Sequence, residues 1–115
     1  LYFNRGVAYA KTKQYTRAFD DFTRFGNNGP LVQFWLGYIY DATARNSEAI
    51  RHYSRAISLD PGMKEAYLNR ALCLRRAGNY AQCNSDLVRA RRLYPASSAK
   101  RAMIDSLIRF NRAYQ

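Results

Sequence analysis

Little in this chain of 115 residues can be oxidised, ligated or anchored: it has two cysteines, one histidine, one tryptophan and only eight acidic side chains. Cys73 and Cys83 are too few for a disulfide framework, and no Asn-x-Ser/Thr glycosylation acceptor occurs. That points to a reducing compartment inside the cell, whether cytoplasm, nucleus or cilium, and both thiols read as small core residues. His52 and two distant cysteines cannot assemble a metal site, and no Gly-rich phosphate loop or nucleophile motif is present. The expectation is therefore no cofactor and no enzyme. No run approaches the ~18 consecutive apolar residues of a membrane span, and the first residues lack the charged-then-apolar layout of a signal peptide. Membrane insertion is not expected. Leu1 falls inside a helical pattern without an initiator Met, so the chain reads as a segment of a longer protein.

What is abundant is arginine. The net charge is +11, with fifteen Arg against four Lys, and it is uneven: residues 1–69 hold nine basic and six acidic side chains, residues 70–115 ten and two. Arg89, Arg91, Arg92, Lys100, Arg101, Arg109 and Arg112 cluster in the last third. A guanidinium fork suits carboxylate or phosphate recognition, so the bias favours acidic partners. Basic charge also supplies general phosphate affinity, which makes an RNA-associated module the second reading. No base-stacking motif or one-base-per-repeat code accompanies it. A basic surface that is merely solvated accounts for the same residues.

The chain also repeats itself, at shifts of 31 and then 34. YFNRGVAY (Tyr2–Tyr9) returns as YLNRALCL (Tyr67–Leu74). Small residues recur at Gly6, Gly37 and Ala71 and at Ala18, Ala49 and Cys83. Large apolar ones recur at Phe22, Tyr53 and Leu87, followed by Phe25, Ala56 and Ala90, and each unit closes on Pro30, Pro61 or Pro95. Spacings of three and four, as in Ala18, Phe22 and Phe25, mark amphipathic helices. Breaks at Thr12–Gln14, Gly26–Gly29, Ala44–Asn46, Asp60–Gly62, Ala77–Asn79 and Pro95–Ser98 give six helices and a seventh at the end. The small residues let the two helices of a pair approach closely.

This pattern of small, aromatic and closing-Pro positions resembles the tetratricopeptide repeat, a family of helix-turn-helix units. The resemblance implies an all-α, right-handed superhelix with units at 1–30, 31–61 and 62–95 and a capping or continuing helix at 96–115. It departs from the family where Asn46 replaces Tyr15 and Tyr80 and where Gln33 replaces Tyr2 and Tyr67. Seven steps separate Pro30 from Gly37 against ten between Pro61 and Ala71, so the second unit's first helix is expected to start about a turn late.

In such a family the first helix of each pair lines a concave groove that holds a peptide or a partner subunit. The resemblance then places Phe3, Asn4, Val7 and Lys11, then Phe34, Trp35, Tyr38 and Asp41, then Glu65, Leu68, Asn69, Leu72, Arg75 and Arg76 on that side. Members often use a groove Asn amide to bond a peptide backbone, and Asn4 and Asn69 occupy such positions; exposed Asn is also ordinary surface. Of Phe34 and Trp35, one is expected in the core and the other in the groove with Tyr38, as an aromatic anchor. Arg5 and Arg70 are expected at unit boundaries, and Asp20 and Asp21 are expected to balance Arg17 and Arg24.

A known use of the family is a Lys, Asn and Arg clamp on chaperone tails. At its positions this chain offers Phe3, Val7, Trp35, Glu65 and Asn69, or, one unit later, Phe34, Tyr38, Asn69, Ala99 and Met103. The clamp is not there. Met103, Leu107, Phe110 and Tyr114 form one stripe of the last helix, widened by Ile104 and Ile108, as a surface for a next unit or a partner. The expected function is a non-enzymatic scaffold within a multi-subunit complex.

Overall fold

The computed structural model describes residues 2–24 and 28–114, and every regular element among them is helical. The chain divides into two compact units, Leu1–Pro61 and Gly62–Gln115. The first holds α1 (Tyr2–Lys11), α2 (Tyr15–Arg24), α3 (Pro30–Ala42) and α4 (Asn46–Leu59). The second holds α5 (Lys64–Arg76), α6 (Tyr80–Leu93), α7 (Ala99–Asn111) and a short 3-10 turn, Arg112–Tyr114. The positions expected at Leu1, Phe25 and Gly26 lie outside the described residues.

Three antiparallel hairpins follow one another, α1–α2, α3–α4 and α5–α6, and α7 packs on α6. One turn closes all three. Lys13, Ala44 and Gly78 each adopt a left-handed backbone, with φ of 65°, 62° and 81°. The next residue's N–H reaches back five positions, Gln14 to Tyr9 O at 2.8 Å, Arg45 to Tyr40 O at 2.8 Å and Asn79 to Leu74 O at 2.9 Å. This satisfies carbonyls that the helix end leaves unpaired. Only the third turn uses the residue that takes the left-handed region without steric cost.

Prolines set the other boundaries. Asp60 and Tyr94, each before a Pro, leave the helical region with ψ of 90° and 142° and stop α4 and α6. Pro30 does the opposite and opens α3, because the first helical position has no use for an N–H. The expected late start of this helix is therefore wrong. α3 begins seven residues before Gly37 and α5, at Lys64, seven before Ala71, and both are 13 residues long. The three extra steps in the third unit belong to the loop after Pro61, not to the helix. Ser98 caps α7, accepting from Lys100 N at 3.1 Å.

The first unit's core runs through Ala18 and Phe22 of α2, Val32, Leu36 and Ile39 of α3, and Ala49, Tyr53 and Ala56 of α4. Complete burial of an aromatic such as Phe22 or Tyr53 contributes about 1.5–3 kcal/mol. What lies over the glycines is a ring: a β-carbon on Gly6 would sit 2.9 Å from Phe22 Cε1, and one on Gly37 would sit 2.7 Å from Tyr53 Cδ1. The close approach expected there is real, but the nearest facing atoms belong to Phe22 and Tyr53, one turn beyond Ala18 and Ala49. The second unit's core gathers Ala66, Tyr67, Leu68, Ala71, Cys73 and Leu74 with Cys83, Leu87 and Ala90, closed by Ile104 and Ile108 of α7.

Candidate functional site

In the first unit, α1 and α3 touch, and a run of half-buried aromatics lies across them. Phe22 of α2 is the floor, with Phe3 at 5.8 Å and Trp35 stacked on it at 6.4 Å, 19° from parallel. Tyr38 follows one turn on, 5.1 Å from Trp35, and Phe34 meets Trp35 edge-on at 5.5 Å. Val7 completes the strip beside Phe3, while Asn4 and Lys11 are exposed on α1. The expected division of Phe34 and Trp35 between core and groove does not occur. Both are half-buried, Phe34 leaning on Tyr53 at 5.6 Å. Gln33 is buried instead, its Oε1 2.8 Å from Nδ1 of buried His52, whose ring stacks on Tyr40 at 5.3 Å. An oxygen can only accept, so Nδ1 carries the hydrogen. Burial, with Arg51 and Arg55 nearby, pushes the His52 pKa down.

In the second unit, Asn69 and Leu72 are half-buried on α5 and Glu65 and Arg76 exposed. Leu68 is 2% exposed, which removes it from any guest-facing surface: it belongs to the packing of its own hairpin. Arg75 is not a free cation either. Its Nε donates to Asn111 Oδ1 at 3.1 Å and its guanidinium lies 4.9 Å from the Phe110 ring centre. Asn111, fully buried, also donates to Asn84 Oδ1 at 2.9 Å and Cys83 Sγ at 3.2 Å, so one amide ties α7 to α5 and α6. Burial raises the Cys83 pKa above the ordinary thiol value, opposed by the Asn111 bond. Sequence reading missed Asn111, because a polar residue at an inward helical position announces itself only once its partners are known.

The last helix buries Ile104, Ile108 and Asn111. Met103, Phe110 and Tyr114 are exposed and Leu107 half-buried. Tyr114 nonetheless stacks on Tyr80 at 5.2 Å, so the 3-10 turn folds back on the start of α6.

The repeated arginines each bond within their own hairpin. Arg5 holds Asp21 with two bonds, 2.9 Å and 2.7 Å, and Arg70 holds Asp86 with two of 2.7 Å. Each is a fork from the first helix of a hairpin to the second; Asp21 spends its hydrogen bonds on Arg5, with the charge of Arg24 acting on it as well. The forks raise both arginines above their usual range and lower Asp21 below the usual carboxylate value. A further pair joins each: Arg5 and Arg24 lie over the Tyr2 ring at 5.2 Å and 5.9 Å, Arg70 and Arg89 over the Tyr67 ring at 5.9 Å and 5.8 Å. Tyr, Arg, Asp and Arg thus recur 65 residues apart, a signal present in the sequence at four identical positions. In the middle hairpin Leu36 and His52 stand in the Arg and Asp places.

The basic set of the last third does not act as one. Arg91 pairs with Asp105 at 3.1 Å, Arg101 donates to Tyr94 O at 3.4 Å, and Arg109 to Ser106 Oγ at 3.4 Å. Lys100 and Arg112 are exposed. Arg89 and Arg92 line a depression with Tyr67 and Arg70. Among the described residues no three of His, Cys, Asp or Glu gather as metal ligands, and no helix is long and apolar enough to cross a membrane.

Successive helical hairpins joined by one turn and packed over small residues define a helical-repeat protein. Residues 34–82 match the family model described as tetratricopeptide repeat. The chain is 31% identical over 97 residues to a DnaJ homolog subfamily C member 7 homolog of Dictyostelium discoideum, an alignment that covers 78% of this chain but only 18% of that protein. Among solved structures it is similar to the Yersinia enterocolitica type III secretion chaperone SycD in complex with a peptide of the translocator YopD, with a TM-score of 0.86, 18% identity and coverage of 97% and 90% of the two chains. It is similar also to the TPR2B domain of yeast Sti1 in its pHsp70 complex, with a TM-score of 0.82, 19% identity and coverage of 96% and 92%. Likeness at these identities is likeness of fold. Residues 34–82 are thus a tetratricopeptide-repeat segment, in a chain that has the fold of these neighbours.

Proposed function

We propose that this chain is a non-enzymatic interaction module that holds a segment of another protein against the first helices of its hairpins, as part of a larger assembly in a reducing compartment. The units would be residues 1–30, 31–61 and 62–95 with 96–115 as closing helix. One observation carries the reading: Phe3 and Trp35 pack on Phe22 and Tyr38 on Trp35, yet all three are only half-buried. Rings held rigidly by neighbours lose little entropy when a guest covers them, and such aromatic anchors dominate interface energies. Asn4 and Asn69 would orient the guest's backbone. The Yersinia and yeast proteins named above, which share the fold, carry partner segments, and this supports the same use here.

The test selects binders from an array of random peptides and measures the affinity of the best for Tyr38→Ala and Asn69→Ala. Loss of about tenfold or more in each, with helical content and melting unchanged, is the expected result. Equal binding by both variants removes this face from the account.

A further inference from the structure

The depression beside α6 has none of the aromatic strip's residues in its lining. It is open, about 570 Å³ in volume, and bounded by Tyr67 and Arg70 of α5 and Ser85, Asp86, Arg89 and Arg92 of α6. Its charges do not cancel. Arg70 and Asp86 neutralise each other through two 2.7 Å bonds. Arg89 and Arg92 then remain, three residues apart on one helix, with no carboxylate partner among the described residues. Like charges at that spacing weaken a helix slightly, so stability does not account for the pair. Arg89 is also held in place, its guanidinium 5.8 Å from the centre of the Tyr67 ring. A fork fixed over an aromatic face loses less freedom on binding than a loose one.

The other hairpins vary this design. The first repeats the Tyr, Arg, Asp and Arg set but has Asn27 in the place of Arg92. The second has a smaller depression, about 370 Å³, where Arg55 stands beside Ser58 and Gln33. Among the described residues, the third hairpin's depression is lined by two guanidinium groups without a carboxylate partner and the second's by one. Tyr67 itself is 6% exposed, so no base can stack on it, and the space exceeds what a single small anion fills. We propose that this depression is a second docking site of the chain, for the carboxylate side chains of an acidic peptide segment.

Fluorescence anisotropy tests it with a labelled Glu-rich peptide, the same peptide with Gln for Glu, its phosphoserine counterpart, and a single-stranded RNA of equal length. The expected result is binding of the Glu peptide to the wild type, loss of about tenfold in Arg89→Gln/Arg92→Gln, and at most about twofold loss in the charge-matched Lys100→Gln/Arg112→Gln. Tyr38→Ala should bind the Glu peptide normally, which separates failure here from failure of the aromatic face. Melting of each variant by circular dichroism confirms that folding is intact. Equal losses in the two double variants would show a general charge effect and overturn the site. Binding of the Gln peptide as strong as that of the Glu peptide would do the same. RNA or phosphopeptide binding that is tighter and depends on Arg89 and Arg92 would overturn the assignment of a carboxylate guest.

Discussion

Gly37→Ala sets two forces against each other, and the structure decides the sign. Glycine inside a helix is about 1 kcal/mol less favourable than alanine, so on propensity alone the substitution stabilises α3. The added methyl, however, would stand 2.7 Å from Cδ1 and 2.8 Å from Cε1 of Tyr53, against an optimum of about 3.5–4.0 Å between carbons. The ring has little room to retreat. Tyr53 is fully buried, Phe34 packs on it at 5.6 Å, and its hydroxyl donates to Asp41 Oδ2 at 3.2 Å. Overpacking of this kind costs about 1–3 kcal/mol, which after the propensity gain of about 1 kcal/mol leaves a net loss of up to about 2 kcal/mol. Gly6→Ala should lose less, because its nearest contact, 2.9 Å, is to the outer edge of the Phe22 ring. The third hairpin already contains the compensated combination, Ala71 with Leu87 in place of the aromatic. Gly37→Ala/Tyr53→Leu should therefore be more stable than the sum of its single losses, with a coupling of about 1 kcal/mol. Urea unfolding followed by circular dichroism measures all four corners of the cycle, with the slope m as the check on a common mechanism. A Gly37→Ala protein more stable than the wild type, or a cycle that adds, would refute the claim that ring contact fixes this crossing.

Two further outcomes follow from the same geometry. Ala44 adopts a φ of 62°, where a β-carbon is strained, so Ala44→Gly should raise stability by about 0.5–1 kcal/mol, readable as a higher melting temperature although a helix-flanking alanine has been lost. His52 has a pKa below its ordinary value, so the unfolded chain binds the proton first: the histidine's contribution is complete above the unfolded value near 6.5 and shrinks as pH falls toward the folded value. Melting temperatures from neutral pH downward should show this slope in the wild type and a flatter one in His52→Gln.

Helix number, hairpin order and the closing prolines were legible because each rests on local chemistry repeated three times. Small residues at a fixed register, apolar spacing of three and four, and Pro after each second helix are visible without coordinates. Errors arose where one residue type serves two roles. Pro30 reads in sequence as the close of the first unit, yet the ring that ends one helix is also well suited to open another, and α3 starts on it. The Asn-Arg pair of the repeated octet drew attention to Asn, whereas Arg5 and Arg70 are the members with fixed partners. Those partners, Asp21 and Asp86, lie 16 residues away and repeat at the same 65-residue interval. Asn111 was illegible in principle, since its three partners come from two other helices and show no period.

The middle hairpin shows what the clamps are for. At its Arg and Asp places stand Leu36, buried, and His52, which bonds Gln33 in the place of the tyrosine. An ion pair exposed on one side adds little net stability, because desolvation offsets most of the attraction, but two parallel bonds fix the register of one helix against the other. Tyr53 over Gly37 already fixes the middle crossing, with a ring contact 0.2 Å tighter than the nearest at Gly6, so a neutral pair suffices there. The consequence is an order of titration. Asp21, held below the ordinary carboxylate value by Arg5, contributes stability above that ordinary value and loses it only as pH falls through the depressed one. His52 loses its contribution earlier, in the mildly acidic range below about 6.5. Between these ranges the middle hairpin weakens while the Arg5–Asp21 clamp stays charged, and the half-open Trp35 and Tyr38 rings of α3 belong to the hairpin that weakens first.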